Sequence, residues 1–309
     1  VAGGRARRSM LVLLAALGLN VGVPLRTPSR SASVSMVAAP APAKEANALK
    51  SLTLSNAAGD SATVYQFGAC VTSYVKGGTD YLMVRPDAKM DGSKPISGGI
   101  PHCFPQFGPG AIQQHGFARN LDWDILEQSA ESVVFGLSEN EYTLAMWPYK
   151  FTATYTVSLK ADKLATELCV TNTDSKRWDF TAALHSYWSV SGISNVKVTS
   201  ADFNGAKYLD KTLSPPAEVS SSSDAITITK ETDSVYAGVA GDVVLSDAER
   251  PAPLTISNVL GWSDTVVWSP FGDEGMGFDS FICVESAQAS APVVLGPGEY
   301  WTGAMDVVP

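Results

Sequence analysis

The segment Phe151–Lys160 (FTATYTVSLK) alternates strictly between apolar and polar side chains along its whole length. This period of two is typical of a half-buried β-strand, because successive side chains of a strand point to opposite faces of the sheet. A polar break at Ala161–Lys163 follows, and Leu164–Thr171 then supplies a second apolar run in the same phase. Together the two runs predict a β-hairpin.

The rest of the chain repeats this short-strand character between turn residues. No window gives three clean helical turns, since Pro and Gly interrupt most of the longer candidates. Many short strands separated by turns predict an all-β domain, a sandwich or a barrel. The further predicted strands are Ser51–Ser55, Ala62–Phe67, Ala69–Val75, Ser132–Leu137, Asn195–Thr199, Ala225–Thr229, Asp242–Ser246, Leu254–Asn258, Thr265–Trp268 and Phe281–Ser286.

The composition excludes several classes of function. A formal charge of −9 argues against a nucleic-acid-binding surface. The four cysteines have no close spacing, so neither a zinc site nor a disulfide scaffold is indicated. With three histidines in the chain, we expect no histidine-rich metal centre.

Residues 1–44 differ from the rest because they contain six Lys and Arg but no Asp or Glu. The apolar run Met10–Leu19 is too short to span a bilayer and is typical of a secretory signal. The basic stretch after it, rich in Ser, Ala and Pro, is typical of a transit peptide. The tandem resembles the bipartite leader of algae with complex plastids, which predicts a plastid location; a plain secretory signal and a mitochondrial leader are the alternatives.

Without this leader, residues 45–309 form one predicted catalytic domain. It keeps 16 basic residues against all 31 acidic ones, a charge of about −15. This negative charge repels an anionic ligand at long range, so such a ligand needs a local pocket of basic residues. We expect no stable membrane anchor once the leader is removed, and a monomer.

Three stretches are dense in residues that carry chemistry. Lys94–Arg119 is rich in Gly and Pro, which predicts a long loop of specific shape. Leu184–Ser189 places a histidine among aromatic residues. In Phe281–Ala287, strand alternation puts Glu285 on the same face as Phe281 and Cys283, where an unpaired carboxylate is costly.

These stretches resemble the glucose-6-phosphate 1-epimerases, the hexose-6-phosphate mutarotase branch of the aldose 1-epimerase superfamily. The matching motifs, in the family's order, are GGIPHCFPQFG (98–108), QHGFARN (114–120), LHSYW (184–188), ETDSVY (231–236), ICVESA (282–287) and LGPGEYWTG (295–303). The resemblance implies an antiparallel β-supersandwich of the galactose mutarotase-like type, with no metal or organic cofactor. It also implies that His185 is the general acid and Glu285 the general base.

These residue types suit mutarotation. One group takes the proton of the anomeric hydroxyl and the other protonates the ring oxygen, after which the ring opens, C1 rotates and the ring closes on its other face. Each group must act in both directions, which favours pKa values near ambient pH. The unperturbed pKa of histidine is about 6.5, and an apolar environment would raise the pKa of a glutamate above its unperturbed value of about 4.3.

The resemblance further implies that Gln114, Arg119 and Asp233 bind the substrate, and His115 is a further candidate for a contact with a sugar hydroxyl. The guanidinium of Arg119 can bind a phosphate through charge-assisted hydrogen bonds, and Asp233 can accept hydrogen bonds from sugar hydroxyls. The chain departs from its relatives at Ser97, where they usually carry an arginine, and at Ser234, where a basic residue is common. Whether the 6-phosphate is required is therefore open, and either Arg85 or Lys94 could replace the missing charge.

Each of these residues also has a structural interpretation. Arg119 could brace its loop, Asp233 could serve a turn, and Glu285 could be half of a structural ion pair. We expect His102 to pack locally and Cys103 and Cys283 to act as small buried hydrophobic residues. Three tryptophans, Trp147, Trp188 and Trp268, could stack on a sugar or pack in the core.

The sequence thus predicts an isomerase that interconverts the α and β anomers of glucose 6-phosphate, with a small-molecule sugar phosphate as its partner. The alternatives are an aldose 1-epimerase acting on unphosphorylated sugars and a carbohydrate-binding protein without activity. A secreted sugar-processing enzyme is a further possibility. The preferred hexose is not fixed by the sequence.

Overall fold

The computed structural model describes residues 49–309, which form three sheets whose strand pairs are all antiparallel. The all-β prediction is confirmed. The predicted leader lies outside the described residues, so the boundary at residue 45 and the plastid location stay predictions. Within the part of the chain that the structure describes, no helix is long and apolar enough to cross a membrane.

Strands are numbered in chain order. The first sheet contains β1 (Ser51–Ser55), β2 (Ser61–Tyr65), β3 (Cys70–Lys76) and β4 (Thr79–Asp80). A nine-stranded sheet contains, in spatial order, β15 (Ala225–Ile226), β12 (Val196–Thr199), β17 (Val243–Asp247), β18 (Leu254–Leu260), β21 (Tyr300–Val308), β9 (Leu164–Asn172), β8 (Phe151–Leu159), β7 (Ser132–Ser138) and β6 (Asp124–Gln128).

The eight-stranded sheet positions the site. It contains β14 (Ala217–Ser220), β13 (Lys207–Asp210), β16 (Thr232–Tyr236), β19 (Asp264–Ser269), β20 (Phe281–Leu295), β10 (Trp178–Leu184) and β5 (His102–Cys103), with β11 (Tyr187–Ser189) also paired to β20. The helical elements are α1 (Glu141–Met146) and the 3-10 turns Ala118–Asn120, Ile193–Asn195, Glu274–Met276 and Phe278–Ser280.

The predicted hairpin is β8–β9, paired without a shift from Phe151 opposite Asn172 to Leu159 opposite Leu164. Its large apolar residues are buried, whereas Ala165, Cys169 and most of its Thr and Ser residues are not fully buried. The alternation thus fixes which side of the hairpin faces the core, since a slip of one residue would turn every apolar side chain outward.

The first half of strand β20, Phe281–Ala287, is buried on both of its faces. Ile282 and Val284 belong to the main core, which also contains residues of the other two sheets. Phe281 and Cys283 form a separate apolar cluster with Tyr187. Glu285 follows in the same alternation, so the predicted placement of this carboxylate on an apolar strand face is confirmed.

Candidate active site

All six predicted site residues line one cavity of about 360 Å³ at the eight-stranded sheet: His185, Glu285, Gln114, His115, Arg119 and Asp233. They come from four of the sequence motifs, which lie far apart along the chain. The same cavity is lined by residues that sequence reasoning did not assign to the site, among them Tyr187 and Lys211.

His185 and Glu285 form a buried pair in this cavity. The Nδ1 atom of His185 lies 3.4 Å from Oε1 of Glu285, and the residues are 9% and 2% exposed. His185 directly follows β10, where its backbone N–H donates to the carbonyl of Pro101 at 3.0 Å. Glu285 lies within β20, opposite Val266 of β19.

Burial displaces the proton equilibria of both members. It raises the pKa of Glu285 well above its ordinary value, and the nearby Asp233 carboxylate raises it further. It lowers the pKa of His185 well below its ordinary value, and His115 and Arg119 act in the same direction. Both shifts favour the uncharged side chains, so the pair carries one proton, with Glu285 protonated and His185 neutral. It binds a second proton only at low pH and releases its single proton only at raised pH.

Aromatic rings hold the histidine in place. The His185 ring stacks on Tyr187 with centroids 4.9 Å apart, and meets Trp268 edge-on at 5.6 Å. Trp268 lines the cavity, whereas Trp188 is buried in the core and donates its Nε1–H to the carbonyl of Val284. Trp147 packs against the core as well, so only Trp268 of the three candidate tryptophans is placed to meet a sugar.

His115 has a backbone conformation that few non-glycine residues adopt, with φ at 65°. This turn brings its Nδ1 within 3.1 Å of the backbone N of Gly108 and 3.0 Å of Cys103 Sγ. A backbone N–H can only donate, so Nδ1 is the acceptor and the ring proton belongs on Nε2. Burial lowers the pKa of His115 to about 3, with Arg119 and Lys211 assisting. His115 is therefore a neutral donor.

The turn after His115 requires a glycine. Gly116 has a φ of +68°, and a Cβ there would lie 2.1 Å from the carbonyl oxygen of Phe104. This close approach holds the loop against β5 and aligns the next residues along the cavity. Arg119 donates from Nη2 to the carbonyl of Gln114 at 3.0 Å, so it braces the loop and lines the cavity at once.

Lys211 is a site residue that the sequence motifs do not include. Strand β13 pairs with β16 so that Asp210 lies opposite Ser234, which places Lys211 beside Asp233. The Lys211 ammonium lies 2.9 Å from each of the Asp233 carboxylate oxygens. Asp233 is thus part of an ion pair within the cavity, and no sequence signal short of the strand register identifies its partner.

The two candidates for replacing the missing arginine differ in position. Arg85 lines the cavity beside Ser97, whereas Lys94 is exposed and does not line it. His102 is buried against Trp123 and Tyr155, as expected for local packing. Cys103 and Cys283 are buried and unpaired, as expected. Within residues 49–309, no three His, Cys, Asp or Glu side chains are grouped as a metal site would need.

The chain is similar to known proteins over most of its length. The family model described as aldose 1-epimerase matches residues 50–307. A protein of Cenchrus ciliaris named "Putative glucose-6-phosphate 1-epimerase" is 32% identical over 290 residues, which cover 86% of this chain and 87% of that protein. An Escherichia coli protein of the same name is 32% identical over 211 residues, or 63% of this chain and 68% of its own length.

Solved structures show the same architecture. A "putative mutarotase" of Salmonella typhimurium superposes with a TM-score of 0.72 at 27% identity, covering 81% of this chain and 86% of that one. A galactose mutarotase-like protein of Lactobacillus casei has a TM-score of 0.70 at 20% identity, covering 84% of this chain and 99% of the other. The galactose mutarotase-like fold implied by the sequence motifs is therefore confirmed.

Proposed function

The chain belongs to the aldose 1-epimerase family, and from that membership we propose that it interconverts the α and β anomers of glucose 6-phosphate and related hexose 6-phosphates. The observation that carries the proposal is the buried His185–Glu285 pair, 3.4 Å apart, in a cavity that also contains cationic side chains. Two relatives named for glucose-6-phosphate 1-epimerase activity support the choice of substrate.

The pair can exchange the two protons that the reaction moves. One carboxylate oxygen of Glu285 accepts the proton of the anomeric hydroxyl while the imidazolium of His185 protonates the ring oxygen, and the C1–O5 bond breaks to give the aldehyde. After rotation about C1–C2, the hydroxyl attacks the other face of the aldehyde and both protons return. The charged form that begins ring opening and the uncharged form that the opposed pKa shifts favour carry the same single proton. The shifts therefore keep the pair singly protonated, and this proton moves from Glu285 to His185 before the ring opens.

The cavity offers donors and acceptors for the rest of a sugar phosphate. The His115 ring offers a neutral N–H, and the Asp233 carboxylate accepts hydroxyl hydrogen bonds while Lys211 compensates its charge. Trp268 presents an aromatic surface next to His185, which suits the apolar face of a pyranose. Arg119 supplies a guanidinium for the phosphate.

A second candidate, mutarotation of unphosphorylated aldoses, is favoured by a specific observation. Position 97 is a serine, and two of the three cationic side chains lining the cavity, Arg85 and Lys211, are already paired with carboxylates. A protein that binds sugars without turning them over is the third candidate. A protein that only binds sugars does not need a buried acid in contact with a buried base, so the His185–Glu285 pair disfavours this candidate.

The proposal is tested by magnetisation-transfer NMR, which measures anomer exchange at equilibrium after the spontaneous rate is subtracted. The full chain is compared with Glu285→Gln and with Asp91→Asn, which changes an exposed carboxylate outside the cavity. We expect fast exchange of glucose 6-phosphate that Glu285→Gln abolishes and Asp91→Asn preserves. Exchange of glucose alone would establish the second candidate, and no exchange of either sugar by folded protein would leave the third.

A further inference from the structure

The three cations of the cavity differ in where their charge is compensated. Lys211 is paired with Asp233, which itself lines the cavity, so this pair brings no net charge to a ligand. Arg85 is paired with Asp87, which does not line the cavity and is 46% exposed to solvent. A carboxylate that faces solvent screens its partner weakly within the cavity. Arg85 and Arg119 are therefore the cations available to an anion there.

The backbone holds Arg85 directly beside Ser97. The Arg85 N–H donates to the Ser97 carbonyl at 2.9 Å, and Val84 pairs antiparallel with Gly98. A Cβ on Gly98 would lie 2.4 Å from the Val84 Cα, so the glycine permits this close approach. Both Arg85 and Ser97 line the cavity, and the short serine side chain leaves the guanidinium of Arg85 as the long basic group at this point.

Asp87 orients that guanidinium and leaves part of it free. It accepts hydrogen bonds from Arg85 Nε at 2.9 Å and from Nη2 at 2.5 Å. A guanidinium has five N–H donors, of which Asp87 takes two, and the Tyr187 hydroxyl is a further hydrogen-bond partner. The edge formed by Nη1 and Nη2 thus offers up to two N–H groups, in the geometry that a phosphate accepts with two oxygens. The charge of Arg85 reaches into the site, since it opposes the effect of burial on the pKa of the Tyr187 hydroxyl.

We propose that Arg85 binds the 6-phosphate of the substrate together with Arg119 and thereby supplies, from the adjacent segment, the positive charge that Ser97 lacks. This inference rests on the proposed function and makes Arg85 its specificity-determining residue. Lys94, the other basic candidate in the sequence, has no part in it because its side chain is outside the cavity.

The test compares kcat/KM for glucose 6-phosphate and for glucose in Arg85→Met and in Lys94→Met, which removes the same charge outside the cavity. We expect Arg85→Met to lose about 10- to 100-fold with the phosphosugar and to stay within about twofold with glucose, the latter also showing that it folds. Lys94→Met should match the wild type. Adding Ser97→Arg to Arg85→Met should restore most of the loss.

A binding measurement separates this inference from the proposed function. If wild-type protein exchanges neither sugar, the proposed function fails, and calorimetric titration with inorganic phosphate decides the role of Arg85. Phosphate binding that is weakened at least tenfold by Arg85→Met supports the site. Equal losses for both sugars, or phosphate binding unchanged in Arg85→Met, would overturn it.

Discussion

His185 and Glu285 meet because β20 runs beside β10 and β11, not because of any local sequence relation. Ser286 of β20 lies opposite Leu184 at the end of β10, and Cys283 lies opposite Tyr187 in β11. The irregular step between these two strands contains His185, whose Nδ1 therefore approaches the Glu285 carboxylate at 3.4 Å. The geometry of the pair is thus a product of strand register.

This contact predicts the pH dependence of catalysis. The lowered pKa of His185 means that the pair takes up a second proton only below the ordinary histidine range, and the raised pKa of Glu285 means that it loses its last proton only above the ordinary glutamate range. We expect a bell-shaped dependence of kcat/KM on pH. Below the lower and above the upper pKa of the pair, kcat/KM should fall by up to about tenfold for each pH unit. A rate that keeps rising across pH 5–9 would contradict the assignment.

The same carboxylate should cost stability. A raised folded-state pKa means that folded protein binds more protons than unfolded protein above pH 4.5, so the contribution of Glu285 to stability falls as pH rises. Glu285→Gln removes this effect while keeping the shape of the side chain. We expect it to raise the Tm at pH 8 by about 2–4 °C and to have little effect at pH 4. Calorimetry at the two pH values, with Asp91→Asn as control, measures the difference.

The sequence predicts those strands that bury one face and expose the other. The β8–β9 hairpin and β1 were predictable to within a residue because polar and apolar side chains alternate there. The continuation of β20 to Leu295 was not, because the small and polar residues that follow Ser286 carry no alternating signal. Strands β10 and β21 were missed as well, although each lies between two other strands of its sheet.

The site was predictable where a motif covers it and not elsewhere. His185, Glu285 and the four predicted binding residues, which line one cavity, lie in motifs whose order matches a known family. Lys211 lies outside these motifs and becomes a site residue only through the β13–β16 register. Arg85 and Lys94 were equivalent as sequence candidates, and the backbone pairing of residues 84–85 with 97–98 distinguishes them.

His115 is expected to act as a neutral donor, which His115→Asn tests. Asparagine tolerates the left-handed backbone at this position but cannot extend an N–H as far into the cavity. We expect kcat/KM to fall about 3- to 10-fold, the worth of one neutral hydrogen bond. The acid limb of the pH profile should move to higher pH, because His115 no longer lowers the pKa of His185, and the alkaline limb should stay in place. An unchanged kcat/KM in His115→Asn would contradict the assignment of His115 as a donor.

Asp264 has no place in the cavity but should be essential for stability. It is fully buried at the start of β19, and its carboxylate accepts hydrogen bonds from the backbone N–H groups of Gly238, Ala289 and Ser290 and from the Ser290 hydroxyl, at 2.7–3.1 Å. Asp264→Ala leaves these donors unsatisfied, so we expect a loss of at least about 3 kcal/mol in the free energy of unfolding. The matched change Asp91→Ala removes an exposed carboxylate and should alter it by less than about 0.5 kcal/mol. Urea unfolding of both variants measures this, and equal losses would show that the buried hydrogen bonds do not stabilise the β19–β20 pairing that holds Glu285 in place.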